Sequence, residues 1–356
     1  MDGEIISRSD QGLGRLTLNR PRALHALNTG MCRDMIAALL AWQDDEAIGA
    51  VLIDHAGERG FCAGGDIRML AESGAEDGSA AREFFHTEYR LNALLFGYPK
   101  PVVALMDGVT MGGGIGISAP ARYRIATERT VLAMPEAGIG LFPDVGGGWF
   151  LPRLPGKTGL WLALTGERVK AADGVRLGLA THYVESGSLS ALKEALLAAP
   201  LKDAAAIEAI LARYPGDPGP APTEPRFGDI DRLFAGASVE AIFTTLEADD
   251  GDWAKAQLAT LKTRSPQAMK VAFRQLALGA RLTRFVDNMA MEYRIGARVV
   301  QSHDFIEGVR AVIVDKDHAA RWEPASLEAV TSAMLDDIFA PLPPDQEWTP
   351  SPAGAA

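Results

Sequence analysis

The sequence predicts an α/β core followed by a helical C-terminal region, and three observations carry the prediction. Short apolar runs alternate with helical patterns over the first ~190 residues. A stretch dense in Pro and Gly, YPGDPGPAPTEPRF (Tyr214–Phe227), then interrupts the chain. Beyond it, Phe234–Ala320 is mostly helical in pattern.

In order, Glu4–Ser7 and Leu13–Asn19 around a turn at Gly12 read as a hairpin. Met31, Met35, Leu39 and Trp42 recur on one helical face. Val51–Asp54 reads as a strand, Ala81–Phe96 as a helix and Pro101–Met106 as a strand, with the GGG at 112–114 opening a helix. Ser265-Pro266 is a helix start, a capping serine with proline in the first turn. The expected organisation is a core over 1–195, a linker over 196–228, a helical region over 229–340 and a disordered tail over 341–356.

At 356 residues, 47% hydrophobic and 23% charged, the composition is that of a globular protein. A net charge of −11 argues against nucleic acid or an anionic membrane as partner, though a local arginine or helix N-terminus can still bind a small anion. Cys32 and Cys62 form no CxxC and the six histidines form no HxxxH pair, so neither a disulfide framework nor a metal site is expected. The first residues have no apolar core of signal-peptide length, and no apolar run approaches a membrane span. The expectation is cytoplasmic.

Three glycine-rich pieces need a reason: FCAGGDIRML (Phe61–Leu70), DGVTMGGGIGIS (Asp107–Ser118) and PDVGGGWF (Pro143–Phe150). A phosphate loop ending in Gly156-Lys157-Thr158 fails, because Leu151 stands where its first glycine belongs. Gly114, Gly116 and Ala119 fit GxGxxA, but Asp107–Gly113 separate them from the strand and no βαβ unit with a suitable acidic residue is clear. What remains is backbone N–H groups left open to a ligand, or glycines that only permit tight helix–sheet packing. Two such N–H groups around one oxygen would stabilise the oxyanion of an ester or thioester undergoing attack or enolisation, one donor being worth on the order of 3–4 kcal/mol.

Between these loops AMPEAGIGLFPDVGG sets Glu136 and Asp144 in apolar, turn-rich sequence, where charge is rare without a task or a partner. The run F-C-A-G-G-D-I, then P-V-V-A-L-M-D-G-V-T-M-G-G-G-I-G, then M-P-E-A-G-I-G-L-F-P-D-V-G-G resembles the crotonase (enoyl-CoA hydratase/isomerase) superfamily. The 3-hydroxyisobutyryl-CoA hydrolase branch is the nearest likeness, and Arg264–Leu276 with His303–Pro324 extend it. The resemblance implies a crotonase-like fold of repeated ββα units with a helical C-terminal region. It also implies an acyl-CoA substrate, with CoA as part of the substrate and no other cofactor, and a tendency to self-associate.

Residue by residue, it implies an oxyanion hole from Gly65 and Gly113, and CoA contacts at Ala63, Asp66 and Ile67, with His25 and Ala26 a looser match. Enoyl-CoA hydratases have two glutamates, one at the position of Gly116 and one at Glu136. The first is lost here. The hydrolase branch instead pairs Glu136 with Asp144 and an upstream Glu, which Glu88 matches. Glu136 would attack the thioester carbonyl or activate a water, its pKa raised by Leu132, Met134, Ile139 and Leu141. Asp144 would sit near a helix start whose dipole favours its charge, positioning a hydroxyl or the water, and Glu88 would bind the hydroxyl.

Without the resemblance Asp144 reads as a helix cap, Glu136 as a turn residue, Glu88 as a solvated helix face and Cys62 as buried packing. The expected activity is hydrolysis of 3-hydroxyisobutyryl-CoA or a similar short β-hydroxyacyl-CoA in valine breakdown. A hydratase or isomerase, and a non-catalytic scaffold on the same fold, are the alternatives.

Overall fold

The computed structural model describes residues 3–199 and 204–350. The hairpin forms as β1 (Ile5–Asp10) and β2 (Leu13–Leu18), paired antiparallel. The Met31–Trp42 stripe lies buried on α1 (Thr29–Gln43), with Asn28 capping its first turn. There follow β3 (Ala50–His55), β4 (Gly60–Cys62), α2 (Ile67–Ala75) and α3 (Ser79–Phe96). Next come β5 (Val102–Met106), β6 (Val109–Met111) and α4 (Gly113–Ser118), then β7 (Tyr123–Ala126), β8 (Val131–Ala133) and α5 (Gly147–Phe150).

Three successive ββα units therefore divide their strands between two sheets. β3, β5 and β7 join a six-stranded sheet of order β1-β2-β3-β5-β7-β10, where β10 is His182–Tyr183. β4, β6 and β8 run parallel in a second sheet, closed by the antiparallel β9 (Val169–Lys170). Every residue of β3 is buried, as a central parallel strand covered on both faces requires. This is the crotonase-like arrangement the motifs imply.

Two outcomes differ from the sequence reading. Part of the expected linker over 196–228 is helical. α6 (Thr158–Thr165), α7 (Ala171–Leu177) and α8 (Leu189–Ala198) are followed by α9 (Ala204–Leu211), while residues 200–203 lie outside the described residues. Ile207, Ile210 and Leu211 share one face of α9 and are buried with Leu192 and Leu196 against Leu52, Val103 and Ile125 of the large sheet. The Pro/Gly run masked that stripe, because it starts only afterwards.

The expected disordered tail is also docked over 341–350, with 351–356 outside the described residues. Trp348 is buried and donates its indole N–H to His86 O at 3.1 Å, and Arg294 pairs with Glu347 at 2.9 Å. A single indole outweighed the proline signal around it.

The helical region comprises α10 (Phe227–Leu233), α11 (Val239–Glu247), α12 (Asp252–Leu261), α13 (Pro266–Gly279), α14 (Phe285–Val299), α15 (His303–Val309) and α16 (Ser332–Phe339). Ser265 caps α13 as its sequence predicts, its hydroxyl accepting from Ala268 N. These helices pack onto the core: α13 against α5 and α6, α14 against α3, and α15 against α2 and the turn at Glu136–Ile139. The C-terminal region thus packs behind the elements that carry the three motifs. Trp348→Ala is expected to lower unfolding free energy by about 3 kcal/mol in urea denaturation; no loss would mean the tail is not docked.

Candidate active site

The three glycine-rich motifs converge on one cleft with about 450 Å³ of empty space. Ala63, Gly65, Ile67, Glu88, Gly113, Glu136 and Asp144, seven of the ten residues named from sequence, line it. Gly65 sits in a bridge to Leu27, in which Gly64 O accepts from Leu27 N and Asp66 N donates to Leu27 O. The bridge uses the groups on either side of Gly65 N and leaves that N–H open. Gly112 takes φ +47 and ψ −119, a backbone that suits glycine alone, and turns the chain from β6 into α4. Gly113 N therefore falls in the first turn of a helix, where no intrahelical acceptor exists.

How closely these groups meet is shown by the side chains they cannot carry. A methyl on Gly113 would lie 2.5 Å from Glu88 Oε1 and 3.3 Å from Gly65 N. One on Gly112 would lie 2.9 Å from Glu136 Oε1. Two backbone donors and two carboxyls thus surround a single small space.

Each acid is placed by its element. Glu88 lies on the buried face of α3 with Phe84, Phe85 and Asn92, not on the solvated face that a lone helical Glu suggests. Glu136 opens the 3₁₀ turn Glu136–Ile139, and its main-chain O accepts from Gly140 N and Leu141 N. Of the apolar residues named around it, Ile139 and Leu141 line the cleft, while Leu132 and Met134 lie behind it. Asp144 accepts from the Tyr89 hydroxyl at 2.9 Å. Glu88 Oε1 and Glu136 Oε2 are buried with no protein partner.

Among the described residues no lysine, arginine or histidine lines the cleft, so no positive charge offsets the cost of burying these carboxyls as anions. Burial first, then the charges of Asp144, Glu136 and Glu292, pushes Glu88 well above the carboxylate range. Glu136 is raised likewise by burial, Asp144 and Glu292. Burial lifts Asp144 to about 7 against the pull of the Tyr89 hydroxyl.

This corrects the expected electrostatics of Asp144. It caps no helix, because the amides opening α5 are taken by Glu292 of α14, at 2.8 Å from Gly146 N and 2.9 Å from Gly148 N. Tyr89 and Glu292 were not found from sequence. Glu292 had a signal: it falls in phase with the buried Phe285, Met289, Gly296 and Val299, an acid on an apolar stripe.

His25, Ala26 and Asp66 are not brought into the cleft. Arg20 holds all three from behind: its amide donates to His25 Nδ1, and its guanidinium to Ala26 O and to Asp66. Asp66 also caps α2 through Met69 N. The lost hydratase acid is accounted for sterically. A methyl on Gly116 would lie 2.5 Å from Val145 Cβ and 3.0 Å from Asn92 Nδ2, so no carboxyl fits there.

Residues 13–339 match the enoyl-CoA hydratase/isomerase family, and the chain belongs to it. Among curated relatives, the mitochondrial 3-hydroxyisobutyryl-CoA hydrolase of Xenopus laevis is 46% identical over 96% of this chain and 90% of its own length. The human protein of the same name is 41% identical over 95% and 89%. A solved structure named a carnitinyl-CoA dehydratase, from Mycobacterium thermoresistibile, superposes with a TM-score of 0.92 at 40% identity, covering 98% of this chain and 99% of that one. One named an enoyl-CoA hydratase, from Rhodobacter sphaeroides 2.4.1, gives 0.88 at 38%, covering 98% and 100%. The expected cytoplasmic location is overturned by the curated names, which place those relatives in mitochondria.

Asp144 sets a pH dependence of stability. Its folded pKa lies above its ordinary value, so the folded protein holds a proton that the unfolded chain has released between the carboxylate range and about 7. Stability falls as pH rises through that window and levels off above it. Asp144→Asn is expected to be more stable than its parent at pH 8 by on the order of 2–4 kcal/mol, and nearly equal to it at pH 4. Thermal melts at the two pH values read this directly; a constant difference would place the Asp144 pKa in the ordinary range.

Proposed function

We propose that this chain is a thioester hydrolase that cleaves 3-hydroxyisobutyryl-CoA, or a similar short β-hydroxyacyl-CoA, to the free acid and CoA in valine breakdown. The observation that carries the reading is the convergence of two open backbone N–H groups with the unpartnered oxygens of Glu88 and Glu136. The thioester oxygen sits between Gly65 N and Gly113 N, which stabilise the oxyanion as the carbonyl carbon is attacked. Glu136 serves that carbon, as a nucleophile giving an anhydride or as a base to water, and hydroxylamine would trap the first route as a hydroxamate. Glu88 takes the substrate hydroxyl and Asp144 the water. The names of the curated relatives support the same chemistry.

A hydratase is the second reading, favoured by the names of the two solved relatives at 40% and 38% identity. Against it, position 116 has no room for the second glutamate that hydratases are expected to carry.

Free-thiol release from 3-hydroxyisobutyryl-CoA, with 3-hydroxypropionyl-CoA and crotonyl-CoA alongside, separates the two. Thiol release from the hydroxyacyl substrates, lowered by about 10²-fold or more in Glu136→Gln, is expected for the hydrolase. Loss of the crotonyl-CoA enone absorbance without thiol release would make the protein a hydratase. Gly113→Ala, whose methyl intrudes on Glu88 and Gly65, is expected to lower kcat by a similar factor, about 10². An unchanged kcat would remove Gly113 from the oxyanion hole.

A further inference from the structure

The turn Pro143–Gly148 carries Asp144, yet it is held from a different part of the chain. Glu292 lies on α14 with no exposed surface and accepts four hydrogen bonds. Oε2 takes Gly146 N at 2.8 Å, and Oε1 takes Gly148 N at 2.9 Å, Asn288 Nδ2 at 2.8 Å and Gln275 Nε2 at 3.1 Å. The same Gln275 amide reaches Pro143 O at 2.7 Å. Both ends of the turn are thus tied to α13 and α14.

What lies between needs tying. Val145 has φ +50 and Gly146 φ +95. A β-branched residue in the left-handed region is a true outlier and persists only where its surroundings impose it. That conformation turns the Val145 side chain onto Gly116 and sets Asp144 against Tyr89, facing the cleft.

We propose that Glu292 is a positioning residue for the reaction: its carboxylate clamps the Gly146 and Gly148 amides, holds Val145 in the left-handed conformation, and so fixes the Asp144 carboxyl in the cleft. Only a carboxylate serves both amides while also accepting from two side-chain amides. A glutamine there has one oxygen and must turn an N–H toward one of the donors. That Asp144 matters to turnover rests on the reading above; that Glu292 sets its geometry does not.

Glu292→Gln tests this in the full-length protein by two independent measurements. Amide hydrogen exchange is expected to speed up roughly tenfold over residues 144–148, with little change in β3 or β5. Turnover of 3-hydroxyisobutyryl-CoA is expected to lose roughly tenfold or more in kcat with KM within about twofold, since a misplaced group costs rate rather than binding. In a Val145→Gly background, where glycine adopts the turn without strain, the same Glu→Gln change is expected to cost clearly less, a coupling read from the double-mutant cycle.

Unchanged exchange over 144–148 overturns the clamp. A uniform rise in exchange with an equal cost in both backgrounds makes Glu292 a general stability residue and also overturns it. Should the parent protein cleave no thioester, the proposed function fails, and the exchange measurement still decides the clamp.

Discussion

Everything about this site depends on burying carboxyls where no cation meets them. Glu88, Glu136 and Asp144 line one cleft with apolar side chains and glycine backbone, and Glu292 stands directly behind it. Burial raises all four pKa values, and the charges of neighbouring acids raise those of Glu88, Glu136 and Glu292 further. The donors are unevenly shared. Glu292 receives four, Asp144 one, and Glu88 Oε1 and Glu136 Oε2 none. Even with four donors, burial and the Asp144 charge push Glu292 up to about 8, and the acids facing the cleft, with fewer donors, are raised as well.

The division of strands between two sheets produces the cleft that this chemistry needs. Each ββα unit sends its second strand to the smaller sheet, so β4 and β6 bring the ends of the first two glycine loops side by side. β6 and β8 then set Gly112 and Gly113 beside Glu136. Donors and acid are fixed by strand pairing, whereas Glu88 and Asp144 arrive from a helix and a turn. The most regular part of the fold therefore holds the groups proposed to meet the thioester carbonyl. A helix and a braced turn hold those assigned to the rest of the substrate.

Much of this was legible in the sequence, and what was not has a physical cause. Apolar runs and periodicity located β2, α1, β3, α3 and β5, because each has a buried face of its own, and the turn at Gly12 placed the mostly exposed β1. The glycine motifs located Gly65, Gly113, Glu136 and Asp144, because a close backbone approach leaves a mark in residue type. His25, Ala26 and Asp66, where CoA contacts are expected, stand outside the cleft, and Arg20 binds all three. Nothing in one sequence announces a pairing 46 positions away, such as Arg20 with Asp66. Glu292 lies 146 positions from Gly146, and that distance hid the true occupant of the α5 amides.

Val145 has a consequence for how such an enzyme changes over generations. Its side chain fills the space beside position 116, and its backbone can occupy that place only in a strained turn braced from α14. A carboxyl gained at 116 would collide before it could be useful, and a smaller residue gained at 145 would open a hole before the carboxyl arrived. Each single step is worse than either end. An arrangement with a glutamate at 116 therefore requires positions 116 and 145 to change together.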